Sequence, residues 1–259
     1  MGPRAPVTRP AIGSELLSSQ FRTAVGCFAG MTTTTEQVRD FRERLLAKGA
    51  VVSRADGGTR ELFPVAIGPK EGAALYDWVR KERALRTLET GLGFGVATLF
   101  VCEALLATGP DGRHVATDPY QFTGLPHHRT TYAGVGLQVL EEAGVRDLVE
   151  FHEEVSQILL PRLLGEGRSF DFAFLDGNHR FEGVVLDLVY TGRLLREGGI
   201  VFADDTQLPG VRRAVDFCIA NLHWTVEERG TEGDSHEWMV LRTGPPDVFQ
   251  RPYAEYVQF

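Results

Sequence analysis

The stretch from Arg86 to Asp118 reads RTLETGLGFGVATLFVCEALLATGPDGRHVATD, and the order of its parts decides the fold class. Leu85 and Leu88 lead into a turn of alternating glycines, Gly91, Gly93 and Gly95, which an apolar run from Val96 to Leu106 follows. Gly109-Pro-Asp-Gly112 is a turn signal, and the short apolar segment after it ends on Asp118. A strand, a Gly-rich turn, a helix and a second strand make one βαβ unit, and its turn has the form E-x-G-x-G-x-G.

Working outward, the alternation of strand and helix continues. Upstream, Ser14 to Phe28, Thr35 to Lys48 and Glu71 to Arg83 carry helical spacing. Downstream come a polar, irregular segment from Pro119 with His127 and His128 at its middle, then a helix over Gly136 to Ala143. A strand at Leu148 to His152, a helix over Ser156 to Leu164 and a near-continuous apolar strand over Phe170 to Asp176 follow. Glu182 to Leu195 is helical, Ile200 to Asp204 is a fifth strand, and Val211 to Asn221 is helical. Trp224 to Arg229 and Glu237 to Arg242 then stand as two strands with no helix between them, hence as antiparallel neighbours. The expected fold is α/β: a doubly wound, Rossmann-like sheet, mostly parallel, with a C-terminal antiparallel hairpin and N-terminal helices. Residues 1–60 read as an N-terminal helical arm or lid, 61–243 as the main domain and 244–259 as an aromatic tail.

Composition narrows the function classes. The chain has 259 residues, 43% of them hydrophobic, and a net charge of -8; mean hydropathy is -0.12 and the pI is near 5.4. An acidic balance argues against a nucleic-acid surface, and no apolar run reaches the length of a membrane span. The start has no continuous apolar core of a secretory signal, and Cys27, Cys102 and Cys218 are scattered, so a cytoplasmic protein with reduced thiols is expected.

Ligands of open α/β sheets bind beyond the carboxyl ends of the strands. Those ends carry Glu89 and Gly91, Asp118, Ser156, Asp176, and Asp204 with Asp205. One Asp or Ser after a strand is an ordinary helix cap; five acidic residues at four strand ends ask for more. A dinucleotide would want G-x-G-x-x-G, whereas here Val96 occupies the third glycine position. Glu89, two residues before Gly91, would repel a pyrophosphate but suits the ammonium of S-adenosylmethionine, and Asp118 is placed to accept from ribose hydroxyls. The residues favour adenosylmethionine and leave the dinucleotide as the alternative.

The chain here resembles the class I S-adenosylmethionine-dependent methyltransferases, and within them the metal-dependent O-methyltransferases. From about residue 64 to 242 it is similar to the catechol O-methyltransferases. The resemblance implies that the loop Ala66-Ile67-Gly-Pro touches the methionine end of the cofactor and that Ser156-Gln157 contacts adenine. It further implies that Asp176 and the Asp204-Asp205 pair hold a metal. Asp176-Gly-Asn-His179, with Phe181-Glu-Gly183 and Asp187 behind it, and Asp118-Pro119-Tyr-Gln121 are closer to the sugar O-methyltransferases of macrolide biosynthesis. His179 stands where the catechol enzymes have a lysine base, and Asp205 where they have an asparagine ligand, so a catechol acceptor is not implied.

Three carboxylates at adjacent strand ends repel one another, and a hard cation such as Mg2+ relieves this. The expected site therefore has His179 as general base beside Asp176, and Asp176, Asp204 and Asp205 as metal ligands. Ile67, Glu89, Gly91, Gly93, Phe94, Gly95, Asp118, Pro119, Ser156, Gln157 and Asp176 would bind the cofactor. The expected activity is Mg2+-dependent methyl transfer to a hydroxyl of a small molecule, a secondary metabolite being one class. A metal-independent N- or C-methyltransferase and a non-catalytic binding subunit remain as alternatives. His236, in the hairpin loop, reads as a surface residue. The aromatic tail and the N-terminal helices suggest docking on this subunit or in a homodimer.

Overall fold

The computed structural model describes residues 33–123, 131–245 and 252–259. The expected helix from Ser14, the His127-His128 pair and Cys27 lie outside the described residues. In chain order the elements are α1 Thr35–Lys48, β1 Ala50–Val52, β2 Thr59–Glu61, α2 Pro69–Lys81, β3 Arg86–Thr90, α3 Val96–Thr108 and β4 Arg113–Thr117. There follow α4 Val135–Glu142, β5 Val149–His152, α5 Ser156–Gly165, β6 Phe170–Leu175, α6 Phe181–Leu194 and β7 Leu195–Ala203. The chain continues with α7 Pro209–Asn221, β8 Thr225–Glu232 and β9 His236–Arg242. The small β1–β2 hairpin is an addition to what the periodicity showed, because strands of three residues leave too few positions to display a period.

The main sheet has seven strands in the order β5-β4-β3-β6-β7-β9-β8. All neighbours from β5 to β7 are parallel, and β9 runs antiparallel to both β7 and β8. One reversed strand closes the parallel series, as the helix-free C-terminal pair implies. The order reverses direction between β3 and β6, so a crevice opens at their carboxyl ends.

Alternation along β6 sorts the core into two layers. Phe172 and Phe174 join the cluster under α1 to α4, with Leu75, Trp78, Leu99 and Phe202. Ala173 and Leu175 join the opposite cluster, with Leu159, Leu163, Leu188 and Val215 from α5 to α7. Helix α3 is buried along almost its whole length, which explains its lack of a polar face. Its Glu103 is the exception, and Arg39 and Arg42 of α1 reach in to pair with it at 2.8 and 2.9 Å. At the other end of the chain, Tyr256 and Phe259 pack on Phe217 of α7, with ring centroids 6.3 and 5.0 Å away. That part of the tail docks on its own subunit.

No helix among the described residues is long and apolar enough to cross a membrane. Cys102 and Cys218 are buried, unbonded thiols.

Candidate active site

At the switch point β3 and β6 come so close that Gly91 is required. A Cβ added there would lie 2.0 Å from the Asp176 carbonyl oxygen, and its φ is +93°. Gly95, in the left-handed region, caps α3 while lying against the Gly136 backbone. The turn thereby folds flat against the sheet edge, and a cavity of about 780 Å³ opens in front of it. Ile67, Gly91, Gly93, Phe94, Asp118, Pro119, Ser156, Gln157, Asp176, His179, Asp204 and Asp205 all line this one cavity. Residues far apart in sequence thus face a common space: all but Ile67, which precedes α2, lie beyond the carboxyl ends of the parallel strands β3 to β7.

One half of the cavity is settled by hydrogen bonds. Asp118 is buried, and its two oxygens accept from the Gly93 and Tyr120 backbone N–H groups at 2.8 and 2.7 Å. Burial raises its pKa above the usual carboxylate range, with those N–H bonds opposing. Phe94 meets Tyr132 edge to face, with centroids 5.0 Å apart. Ser156 opens α5, and Gln157 donates to Asp187 at 3.4 Å.

Glu89 lies outside the cavity wall. It shares the α3-facing side of the sheet with its neighbour Phe174, because side chains alternate along β3. Its Oε2 accepts from the Thr98 hydroxyl at 2.7 Å and pairs with His114 Nε2 at 2.7 Å. Its other oxygen, Oε1, is buried without a partner. Glu89 therefore sits one layer behind the turn.

The other half is a band of carboxylates and imidazoles. His179 Nε2 lies 3.4 Å from Asp176 and 3.1 Å from Asp205. His236 Nε2 lies 2.8 Å from both Glu71 and Asp204, and its Nδ1 is 3.4 Å from Asp205. Among the described residues two groups have their ligand-type atoms gathered within 4.8 Å, namely Glu71, Asp204 and His236, and Asp176, His179 and Asp205. Asp205 is held in a left-handed conformation, φ +53°, with Gln207 donating to it at 2.5 Å. A non-glycine residue in that region marks a position that the surrounding structure constrains.

Charge crowding shows in the protonation equilibria. Burial, then the nearby Asp204 charge, pushes the Asp176 carboxyl well above its usual range. Burial lifts Glu71 to about 9, and Asp204 adds to the shift. Asp205 also feels burial, yet the hydrogen bond from His236 and the charge of His179 hold it below the ordinary value. The hydrogen bond to Asp176 raises His179, and bonds to Asp204, Asp205 and Glu71 raise His236 strongly. Without a cation, the two imidazoles supply the positive charge that this band of acids demands.

Comparison with known proteins shows what the chain is similar to. Residues 88–206 match the model of a methyltransferase domain. The chain is 32% identical over 142 residues to tricin synthase 2 of Oryza sativa subsp. japonica, covering 53% of this chain and 44% of that protein. It is 26% identical to the caffeoyl-CoA O-methyltransferase of Stellaria longipes, covering 61% of this chain and 66% of that one. Over residues 88–206 the chain is similar to the methyltransferases. It spans 44% and 66% of the length of those two relatives. Its fold matches that of the O-methyltransferase TomG of Streptomyces achromogenes, involved in tomaymycin synthesis and solved in complex with S-adenosylmethionine. That likeness has a TM-score of 0.61 at 21% identity, over 81% of this chain and 90% of that one.

Two residues at or behind the cavity escaped the sequence reading. His236 is not a surface loop residue; it begins β9, is half-buried, and lines the cavity. The hairpin turn is shorter than the polar loop in the sequence suggests, and β9 pairs with β7, whose end carries Asp204. Glu71, in the first turn of α2, is fully buried against His236. An acidic residue in a first helical turn is an ordinary sequence feature, so nothing in the one-dimensional pattern sets Glu71 apart.

Proposed function

We propose that the chain transfers the methyl group of S-adenosylmethionine to a hydroxyl of a small molecule, with Mg2+ or a similar divalent cation in the acidic half of the cavity. The observation that carries this reading is the junction of two unlike walls in one cavity: a Gly-rich turn with Asp118, and a carboxylate–imidazole band. Asp118 would take the ribose hydroxyls, Ser156 and Gln157 the adenine edge, and Ile67 the methionine end. Glu89 Oε1 is the unfilled acceptor behind the turn, available to the ammonium through water.

The donor set fits a hard cation. Asp176, Asp204 and Asp205 offer only oxygen, and their mutual repulsion is relieved by positive charge. When bound there, such a cation lowers the pKa of an acceptor hydroxyl towards neutrality. His179 is the more exposed of the two cavity imidazoles, and its Nε2 would take the hydroxyl proton. The acceptor oxygen forms its bond to the methyl carbon as the carbon–sulfur bond breaks, and the sulfur leaves as the uncharged thioether of adenosylhomocysteine. Apolar wall residues Phe94 and Ile67, with Tyr132, keep that path dry and align the three reacting atoms.

In the same reading the acceptor is a hydroxylated secondary metabolite and the setting is the cytoplasm, where buried free thiols such as Cys102 are ordinary. Exposed Ile158 and Leu186, on the adjoining helices α5 and α6, support a homodimer. Calorimetry with adenosylhomocysteine, with and without Mg2+, tests the whole reading. Micromolar binding is expected, with turnover of a hydroxylated acceptor lost in EDTA and restored by the cation. No binding of adenosylhomocysteine would remove the donor, and turnover undiminished in EDTA would remove the metal.

A further inference from the structure

Of the group formed by Glu71, Asp204 and His236, only Asp204 is used by the reaction above. Its three members come from separate elements. Glu71 sits in the first turn of α2, where its backbone N–H is held by Glu232 at 2.7 Å. Asp204 follows β7, and His236 opens β9. The hairpin therefore fixes two of the three, Glu71 through Glu232 and His236 directly.

Counting hydrogen bonds here leaves a deficit. His236 Nε2 is 2.8 Å from Glu71 Oε2 and also 2.8 Å from Asp204 Oδ1. One N–H points along one direction and cannot serve two carboxylates fully. Glu71 is 0% exposed, and its remaining oxygen, Oε1, has no partner at all. A buried, unpartnered carboxylate oxygen is costly. The other ring nitrogen, Nδ1, faces Asp205 at 3.4 Å. When a cation displaces the Nε2 proton, the carboxylate behind Nδ1 keeps the remaining proton there, and the Nε2 lone pair faces Glu71 and Asp204. Three electron-pair donors then converge on one point. Ligands about 2.1 Å from one ion and at right angles stand about 3 Å apart, which is close to the spacing seen.

We propose that Glu71, Asp204 and His236 form a second cation site that takes a transition-type divalent ion such as Zn2+ or Mn2+. One imidazole nitrogen with two carboxylates suits such an ion better than Mg2+, which prefers oxygen and water. The site touches the proposed function only through Asp204, which stands between the two groups. An ion there would stiffen Asp204 and tie the β8–β9 hairpin to α2, beside the cavity but off the path of the methyl group.

Titration of the metal-free full chain with Zn2+ tests this. Bound ion is counted by plasma mass spectrometry, and imidazole nitrogens are followed by NMR. The parent should bind two equivalents, and the His236 signals should move. His236→Gln and Glu71→Gln, which keep side-chain volume, should each bind one, with affinity for the second weakened at least ten-fold. Asp176→Asn should also bind one, with the His236 signals still moving. The proposal is overturned if the parent binds no ion or if its His236 signals stay still on titration; the parent's signals decide the matter even if a variant misfolds. Failure of the proposed function looks different, with Asp176→Asn losing no ion and adenosylhomocysteine failing to bind.

Discussion

The two halves of the cavity solve the burial of charge in opposite ways. In the turn half, the chain supplies its own donors: Gly93 and Tyr120 to Asp118, and Thr98 and His114 to Glu89. In the acidic half, Asp176, Asp204 and Asp205, with Glu71 buried behind, share His179 and His236. Backbone N–H groups are fixed dipoles that cost nothing further to orient when a neutral or zwitterionic ligand arrives. Facing carboxylates are unfinished and call for a cation. In the proposed function the first half holds the cofactor, and the second is completed by an ion and an acceptor.

This contrast can be broken by substitution. The largest effect is expected in the acidic half: His179→Ala should lower kcat by about 10²- to 10⁴-fold with adenosylhomocysteine affinity unchanged. Turnover that survives at saturating donor and cation would end its assignment as the base. Next comes the seam between the halves. Gly91→Ala puts a Cβ against the Asp176 carbonyl at a left-handed φ, and should cost about 3 kcal/mol or more in chemical denaturation. A loss below about 1 kcal/mol would mean that the strands part easily there.

In the turn half, Asp118→Asn should weaken adenosylhomocysteine binding by about ten- to a hundred-fold, since a charged acceptor is worth about 1.5–3 kcal/mol, and should leave metal binding intact. If cation affinity fell equally, the two halves would not be independent.

The smallest effect lies behind the turn half, at Asp187. Burial raises its carboxyl to about 6, with Ser156 opposing. A raised native pKa means that the native state holds the proton more tightly than the unfolded chain does. Its penalty is absent below the ordinary Asp value, grows between about 4 and about 6, and is complete above that. Asp187→Asn should therefore be more stable than the parent at pH 8 by roughly 1–3 kcal/mol, with no difference at pH 3.5. Equal stability at both pH values would show that Asp187 is better served by Ser156 and Gln157 than its burial suggests.

Much of this was legible along the chain. The sheet and its one reversed strand follow from the alternation of strand-like and helix-like segments and from the missing helix between the last two strands, both local signals. So does the placing of Asp118, Asp176, Asp204 and Asp205, since residues that follow parallel strands share one edge of a sheet. Glu89 was misplaced by the same logic taken one residue too far: it lies within β3, where alternation, not the strand end, sets its direction. His236 and Glu71 carried no local mark, because a polar residue after a turn and an acid in a first helical turn are both commonplace.

The sequence alone therefore determined the α/β class, the Gly-rich turn and the set of acids at the strand ends, since periodicity and turn chemistry act over a few residues. Which acids share a proton, a histidine or an ion was decided only when β9 paired with β7 and α2 packed against the hairpin. Electrostatic coupling falls off with distance in space and takes no account of separation along the chain. Residues 71, 204 and 236 become one chemical group only in the folded protein.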